Sequence, residues 1–447
     1  MSTDSMRTDS MRTELRSHRD PRAATEALAR RVVSPLTGLV PSIGFYARVR
    51  RGTRVVLTTC DLAGVHHLVG GPAARPGAHH IGAASLTVTD AVIRSLAESI
   101  ERYAHYAFPA HHRFAVAPSA DPPGPAVPPG ALFDDDQHAD PGFPFDRPDP
   151  AAPLGWWRMT ALTGGPDLFV PAQSTLVGYR PGEAEPWLHP AVSTGTAAHT
   201  DPGAALLNAV RELVQLDATM GHWHTATRSV RIGFDQRTRA LADLVDRYWD
   251  GRAPRPEFHL LPSPDLPGFT VACLLRAAAV GGPAVSVGLG ASAGLTTAMF
   301  KALVEGTALV SLFSTSPVPP GEEADEEPER FLDLNGNVTH YSEPANARVV
   351  EDRFADCDTA SAADLPPDVT TDTRDAVHRY LEAFRATGKR LLHGDLTTPD
   401  VRRLGFHVHR VWSPDLLPLS LPGAPARLHR RYLDYGGYRP SPIHPYP

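Results

Sequence analysis

Cysteine, lysine and long apolar runs are all scarce in this chain, and each scarcity narrows what it can be. Three cysteines, Cys60, Cys273 and Cys357, lie far apart among 447 residues, which excludes a disulfide scaffold and an all-cysteine zinc site. Lysine occurs only at Lys301 and Lys389, so arginine carries nearly all the positive charge. Acidic side chains outnumber basic ones, 50 to 43, and the chain lacks the basic excess of a protein held to nucleic acid by phosphate contacts. The first thirty residues are charged throughout and offer no apolar core of signal-peptide length. Ala277 to Phe300 carries no formal charge, but it is built of small residues and broken by Gly281-Gly282-Pro283. It reads as strand, turn, strand and helix start rather than a membrane span. The expectation is a soluble, cytoplasmic protein with neither nucleic acid nor membrane as partner.

What is present has a clear order along the chain. Thr3-Asp-Ser-Met-Arg7 recurs as Thr8-Asp-Ser-Met-Arg12, and residues 1–30 read as a disordered polar terminus with little to bury. From residue 31 to 447 the text reads as one domain. Phe45–Val49 and Arg54–Leu57 are strand-like, and Ser85 to Phe108 predicts a long helix. Residues 117–153, rich in Pro, Asp and Gly, read as a loop insertion. Trp156-Trp157 and Asp167–Pro171 are strand-like again. Asp201 as N-cap with Pro202 at the first helical position starts a second long helix, to about Met220. A third follows Gly294, to about Phe313, and ends in a second loop, 317–329, with an acidic, solvated run. Residues 439–447, Arg-Pro-Ser-Pro-Ile-His-Pro-Tyr-Pro, predict a stiff extended tail.

The three helices carry polar faces. On the first, Ser95, Glu98 and Arg102 share one sector with Glu101 beside them, while Val92, Leu96 and Ile100 lie opposite. On the second, Asn208, Glu212, Gln215 and Thr219 form one narrow stripe on an otherwise apolar helix. Such a helix is buried, so its polar stripe should face a cavity or ligand. On the third, Lys301 and Glu305 make an i,i+4 pair among apolar residues. Carboxylates brought together on inward faces repel one another unless cations lie between them. Their oxygens are hard ligands suited to Mg²⁺, and Arg102 and Lys301 suit phosphate. Two other patterns are weaker. The glycine-rich Val285–Gly294 stretch resembles a dinucleotide-binding turn, but its helix feeds a proline-rich acidic loop instead of a strand ending in an acid. His222-Trp-His224 and His407-Val-His409 lack the cysteines or HExxH pattern of a metal site and read as ordinary histidines.

Taken together, these segments resemble the YcaO family, ATP-dependent enzymes that activate peptide-backbone amides. Ser95-Leu-Ala-Glu98-Ser-Ile-Glu101-Arg102 is similar to the family's SxxExxER signature. Ser193-Thr-Gly195-Thr-Ala197, continuing through Asn208, Glu212, Gln215, Asp217 and Ala218, is similar to its S-x-G-x-A…E-x-x-E-R-D-A run. Gly288-Leu-Gly290 with Lys301 and Glu305 resembles its R-x-x-x-E segment. The terminal Pro442-Ile-His-Pro-Tyr-Pro447 is similar to the P-x-P-x-P ending of azoline-forming members. The resemblance runs from about Leu57 to the C-terminus. It implies an α+β fold, with long helices packed on mostly antiparallel sheets around a nucleotide and Mg²⁺ site.

The implied reaction is cyclodehydration of Cys, Ser or Thr in a ribosomally made precursor peptide, giving thiazoline or oxazoline, with ATP and Mg²⁺ as cofactors. Ser95, Glu98, Arg102, Ser193, Asn208, Glu212, Lys301 and Glu305 would bind ATP. Glu98, Glu101, Glu212 and Gln215 would hold metal, and Arg102 and the Pro447 carboxylate would be catalytic. Four departures stand out: Gln215 for Glu, Leu216 for Arg, Lys301 for Arg, and Gly82-Ala-Ala-Ser85 in place of the G-K-G preceding the first helix. No ThiF-like or other leader-binding module precedes the match, so a separate partner is expected. A flavin-dependent azoline dehydrogenase and a homodimer are compatible with this organisation. A non-catalytic scaffold and a thioamide- or amidine-forming enzyme are the alternatives.

Overall fold

The computed structural model describes residues 20–46, 55–68, 70, 80–249, 255–276, 283–315, 334, 337, 340, 341 and 344–446. It contains three sheets. The first, in the order β1 (Gly44–Tyr46), β2 (Val56–Asp61), β3 (His80–Ser85), is antiparallel. A second sheet runs β4-β5-β13-β14-β7, with β6 paired to β5. Its strands are β4 (Ala115–Pro118), β5 (Pro153–Ala161), β6 (Leu168–Pro171), β7 (Thr196–His199), β13 (Leu392–Asp395) and β14 (His407–Trp412). The third runs β11-β10-β9-β8-β12, from β8 (Ser229–Gly233), β9 (Glu257–Leu261), β10 (Phe269–Arg276), β11 (Val285–Ser292) and β12 (Cys357–Ser361). Only β12 on β8 is parallel among the pairs described. The expected α+β class with mostly antiparallel sheets is what the chain adopts.

Helix α1 spans Pro21–Val32 and corrects the expectation for the N-terminus. Asp20 accepts a hydrogen bond from Arg22 N, Pro21 opens the first turn, and Leu28 and Val32 are buried. Residues 21–30 are therefore a docked helix rather than disorder; the remainder of that expectation, residues 1–19, lies outside the described residues. The strand-like Arg48-Val49, the loop 317–329 and the terminal Pro447 also lie outside them.

The three long helices fall where expected. Helix α2 covers Val88–His111, α3 Pro202–Trp223 and α4 Leu295–Thr315. Asp201 caps α3 by accepting from Ala204 N at 2.7 Å. Each helix buries one face: Val92, Leu96 and Ile100 against Trp157 and Met159, Val210 and Val214 against Val411, and Met299 and Leu303 against Val271 and Cys273. No helix among the described residues is long and apolar enough to cross a membrane.

Residues 119–152 leave and rejoin the β4–β5 pair, whose ends Pro118 and Pro153 face each other. This insertion is packed: Phe133 stacks on Phe145 and Phe143 stands edge-on to both, with 5.0–5.4 Å between centroids, and Phe145 meets Trp187 at 5.1 Å.

The glycines of β11 serve helix packing. A Cβ on Gly288 would lie 2.1 Å from Gly306 N and 2.2 Å from Ala302 O; one on Gly290 would lie 2.3 Å from Ala298 O. Helix α4 therefore rests directly on strand backbone, and the antiparallel β10–β11 pair excludes a dinucleotide-binding βαβ unit. Gly288→Ala should separate strand and helix and cost about 1–3 kcal/mol or more, as overpacking does. A thermal melt should show a clearly lowered Tm for this variant, with a smaller loss for an exposed control such as Gly130→Ala, whose Cβ would meet nothing within 4 Å.

Candidate functional site

Helices α2, α3 and α4 turn their polar faces toward one another. Glu98, Glu101 and Arg102 come from α2, Glu212 from α3 and Glu305 from α4. Glu98 is the hub of the group: its charge acts on Glu101, Glu212 and Glu305, and it pairs with Arg102 at 3.7 Å. Glu98 and Arg102 keep 39% and 41% of their side-chain surface accessible, although dense protein surrounds them. Together these describe the wall of a recess.

Burial raises all four carboxylates. Glu98 is raised mainly by desolvation, with Arg102 opposing it. Glu101 stands well above the carboxylate range through burial and the repulsion of Glu212 and Glu98. Glu212 is pushed up to about 7 by burial, against the pull of Arg102, Arg410 and the Gly195 N–H. Glu305 keeps an accessible surface, yet the protein packed around it pushes it up to about 7, although its carboxylate accepts from Leu289 N at 3.1 Å. A cluster of this kind is held back from full ionisation until positive charge enters.

Cations flank it on two sides. Arg410, on β14 and 2% exposed, donates to Thr194 O and, at 3.1 Å, to Thr196 Oγ1, while its Nε has no partner. Burial lowers it to about 10, against the attraction of Glu212 and Glu101. His105 Nε2 shares Thr196 Oγ1 at 2.8 Å, and burial, with Arg410 and Arg102, holds the ring neutral. On the other side, Lys301 donates to Ala291 O at 3.2 Å; burial, Arg211 and Arg94 lower its pKa. Arg211 Nε is buried without a partner.

The Ser193–Thr196 segment closes the Arg410 side. Gly195 adopts φ +85°, and a Cβ there would lie 2.6 Å from Val411 O. That conformation aims its N–H at Glu212. Ser193, Asn208 and Gln215 are half-buried on the same faces.

Two predicted site residues lie elsewhere. Ser95 is fully buried, with its hydroxyl 2.5 Å from Thr58 Oγ1 beneath β2. Thr219 is buried and bonds back to Gln215 O at 2.7 Å. Both hydroxyls are consumed by packing, so neither faces the recess. Arg410, His105, Thr196, Arg211 and Arg94 are not among the site residues expected from the sequence, although Thr196 lies within the Ser193–Ala197 motif. Arg410 had one signal: it alternates with Val408 on the inward face of a strand, an unusual place for arginine.

The tail is held by side chains as well as by proline. His224 N δ1 meets Ser441 Oγ at 2.6 Å, Trp223 Nε1 donates to Pro442 O at 2.8 Å, and His444 Nε2 meets Ser420 O at 2.6 Å. Tyr341 donates to Ile443 O, and Asn337 Nδ2 donates to Tyr446 O at 3.3 Å. His444 and Tyr446 are each 1% exposed. His222 and His224 are thus core residues beside the tail, as ordinary histidines.

Residues 83–417 match the family model described as YcaO cyclodehydratase, ATP- and Mg²⁺-binding, and the chain belongs to this family. It is accordingly an ATP-dependent enzyme with ATP and Mg²⁺ as cofactors. No curated protein sequence matches it. Its fold is similar to a heterocyclase in complex with substrate and cofactor, with TM-score 0.68, 18% identity, and 95% of this chain covered. The match spans only 57% of that heterocyclase. It is also similar to the YcaO of Methanopyrus kandleri bound with AMPPCP and Mg²⁺, with TM-score 0.61, 18% identity and coverage of 89% of this chain and 91% of that one. A third relative is a chain of the E. coli microcin synthetase McbBCD complex, with TM-score 0.61, 13% identity, and 93% and 99% covered.

The residues fit the metal. Carboxylates raised by burial are stabilised in their charged form by a cation, and Mg²⁺ bound with a nucleotide takes one or two carboxylates and fills its shell with phosphate and water. Among the described residues no three His, Cys, Asp or Glu side chains form a cage of their own.

The raised carboxylates set a pH dependence. Glu212 and Glu305 bind protons more tightly folded than unfolded, so stability in chelator is fullest below about pH 4.5 and declines as pH rises through about 7. Glu212→Gln should remove part of that decline. Melts in EDTA should show near-equal Tm at pH 5 and a variant more stable by a few degrees at pH 8. A wild-type Tm that rises between pH 5 and 8 relative to the variant would contradict the assignment.

Proposed function

We propose that this chain is the catalytic subunit of an azoline-forming cyclodehydratase acting on a ribosomally made peptide, with a separate leader-binding partner. The observation that carries the reading is the convergence of Glu98, Glu101, Glu212 and Glu305 from three helices, flanked by Arg102 and Lys301. Such a group suits a triphosphate with Mg²⁺.

In the proposed reaction a Cys, Ser or Thr side chain of the peptide adds through sulfur or oxygen to the preceding backbone carbonyl carbon and loses its proton. The carbonyl oxygen becomes an oxyanion and takes the γ-phosphoryl group of ATP, releasing ADP. The amide N–H then gives up its proton as phosphate leaves, and a C=N bond forms within the five-membered ring that the first addition closed. The peptide loses one water, and ATP becomes ADP and phosphate. Phosphorylation matters because an amide oxygen is otherwise a poor leaving group.

Each group in the recess has a task. Glu98, Glu101, Glu212 and Gln215 would hold Mg²⁺, which supplies charge neutralisation along the triphosphate when bound. Arg102 lies beside Glu98 and would meet the transferring phosphoryl group, while Lys301 and Arg211 would meet the other phosphates. Gln215 offers an amide oxygen with one charge less than Glu. Leu216, where the family usually has Arg, is buried in an apolar cluster with Met220 and Trp223, so cationic support would come from Arg211 and Arg410. The terminal carboxylate of Pro447 would serve as base, delivered by the bonds that fix residues 441–446.

The test is mass spectrometry and phosphate release with a precursor peptide and its leader-binding protein. Loss of one water per ring should require this chain, ATP and Mg²⁺, and Arg102→Ala should abolish it. Removing Tyr446-Pro447, or appending a C-terminal tag, should lower the cyclisation rate about 10²–10⁴-fold, the contribution of a positioned base, with AMPPCP binding retained. Full-rate cyclisation by the truncated chain would remove the tail from the mechanism; an unchanged peptide mass with intact partner would overturn the proposal.

A further inference from the structure

A second concavity adjoins the recess. It has a volume of about 600 Å³ and is lined by Tyr106, Tyr179, Arg180, Glu185 and Trp187, among others. Two of its walls run directly into the site. Tyr106 stands one helical turn beyond Arg102 on α2, and Ala191 stands two residues before Ser193. Gly178 brings the third wall against the helix: a Cβ there would lie 2.5 Å from His105 O and 2.8 Å from Tyr106 Cα. Burial raises the Tyr106 phenol, and Arg102 and Arg180 draw it back, which places one guanidinium from the site and one from the pocket near the same ring.

The pocket is built to keep its shape. Glu185 accepts from Gly155 N at 2.6 Å, Tyr179 OH at 2.7 Å and Gly182 N at 2.9 Å. Those bonds pin the 178–185 turn to β5. Trp187 is backed by Phe145 of the insertion, and its backbone N–H donates to Asp146 at 2.8 Å. The charge balance is uneven. Glu185 is spent on three internal donors, whereas Arg180 is exposed and forms no ion pair among the described residues. An aromatic-walled, rigid pocket with one free guanidinium at its rim, opening onto the phosphate site, suits an extended peptide segment bearing a carboxylate.

We infer that this pocket holds the substrate peptide beside the residue being cyclised, with the Tyr106, Tyr179 and Trp187 rings against its backbone and Arg180 facing an acidic side chain. The inference rests on the proposed peptide substrate and adds where the peptide lies and which side chain it prefers there. Tyr106 then touches both ligands, one face toward the phosphoryl end and one toward the peptide.

The test uses the full chain and two fluorescein-labelled hexapeptides, Gly-Ser-Cys-Gly-Asp-Gly and its counterpart with Lys in place of Asp. Fluorescence anisotropy should show the wild type preferring the Asp peptide. Arg180→Glu, a surface change that leaves the fold intact, should reverse the preference, about tenfold in each direction. Trp187→Ala should weaken both peptides. Affinity for AMPPCP with Mg²⁺ should stay unchanged in both variants. An unaltered preference in Arg180→Glu, or binding of neither peptide to the wild type, overturns the inference. So does a loss of AMPPCP affinity in Trp187→Ala with peptide binding retained, because the pocket would then serve the nucleotide base. Mass change of a precursor peptide, measured on the same wild-type preparation, reports separately on the cyclodehydratase reading.

Discussion

The burial of carboxylates that the fold holds together governs this protein. Four glutamates from three helices face one recess, and each is raised chiefly by burial. The apolar faces of α2, α3 and α4, packed on three sheets, hold them there regardless of the electrostatic cost. The hydrophobic burial of several large side chains, each about 1.5–3 kcal/mol, is enough to keep such a cluster in place. The cost of ionising these buried carboxylates is offset when positive charge arrives, which is how a scaffold can be made receptive to Mg²⁺ with a triphosphate.

A different ionic node lies further along α3, at Asp217. Asp217 and Arg431 are fully buried and pair at 2.7 Å, with Asp265, Lys389, Asp434 and Tyr435 completing the set. Here three carboxylates are directly paired with two cations, so the network is structural; losing one partner would leave a buried charge exposed to a low dielectric, at about 3–5 kcal/mol. It fixes the Arg430–Tyr435 turn to the helix, and the tail runs from that turn along Trp223 and His224. The same helix thus carries Glu212 in the carboxylate group and Asp217 in this directly paired network. Lys389, one of the two lysines, belongs to the paired network.

Much of this was legible because periodicity and capping are local. Asp201-Pro202 marked the start of α3, and the apolar girth of that helix marked its polar stripe as inward-facing. The same Asp-Pro signal at Asp20-Pro21 went unread, because the stuttering polar repeat before it dominated the impression of disorder. Helical angle alone could not distinguish Ser95 and Thr219 from their neighbours: a small hydroxyl is as content beneath a strand as beside a ligand. Arg410 and His105 meet only through Thr196, across separations in sequence that no local pattern spans. The β11 glycines were visible as a motif, but their role, close helix approach, depends on which element packs above them.

The central claim is that the recess is completed by Mg²⁺ with a nucleotide, and isothermal titration calorimetry of AMPPCP tests it most directly. Titrations near pH 6.5 in buffers of different ionisation enthalpy should show binding that requires Mg²⁺ and releases protons, because Glu212 and Glu305, both near 7, must ionise on binding. Binding that is indifferent to Mg²⁺, or that proceeds without proton release, would contradict the account.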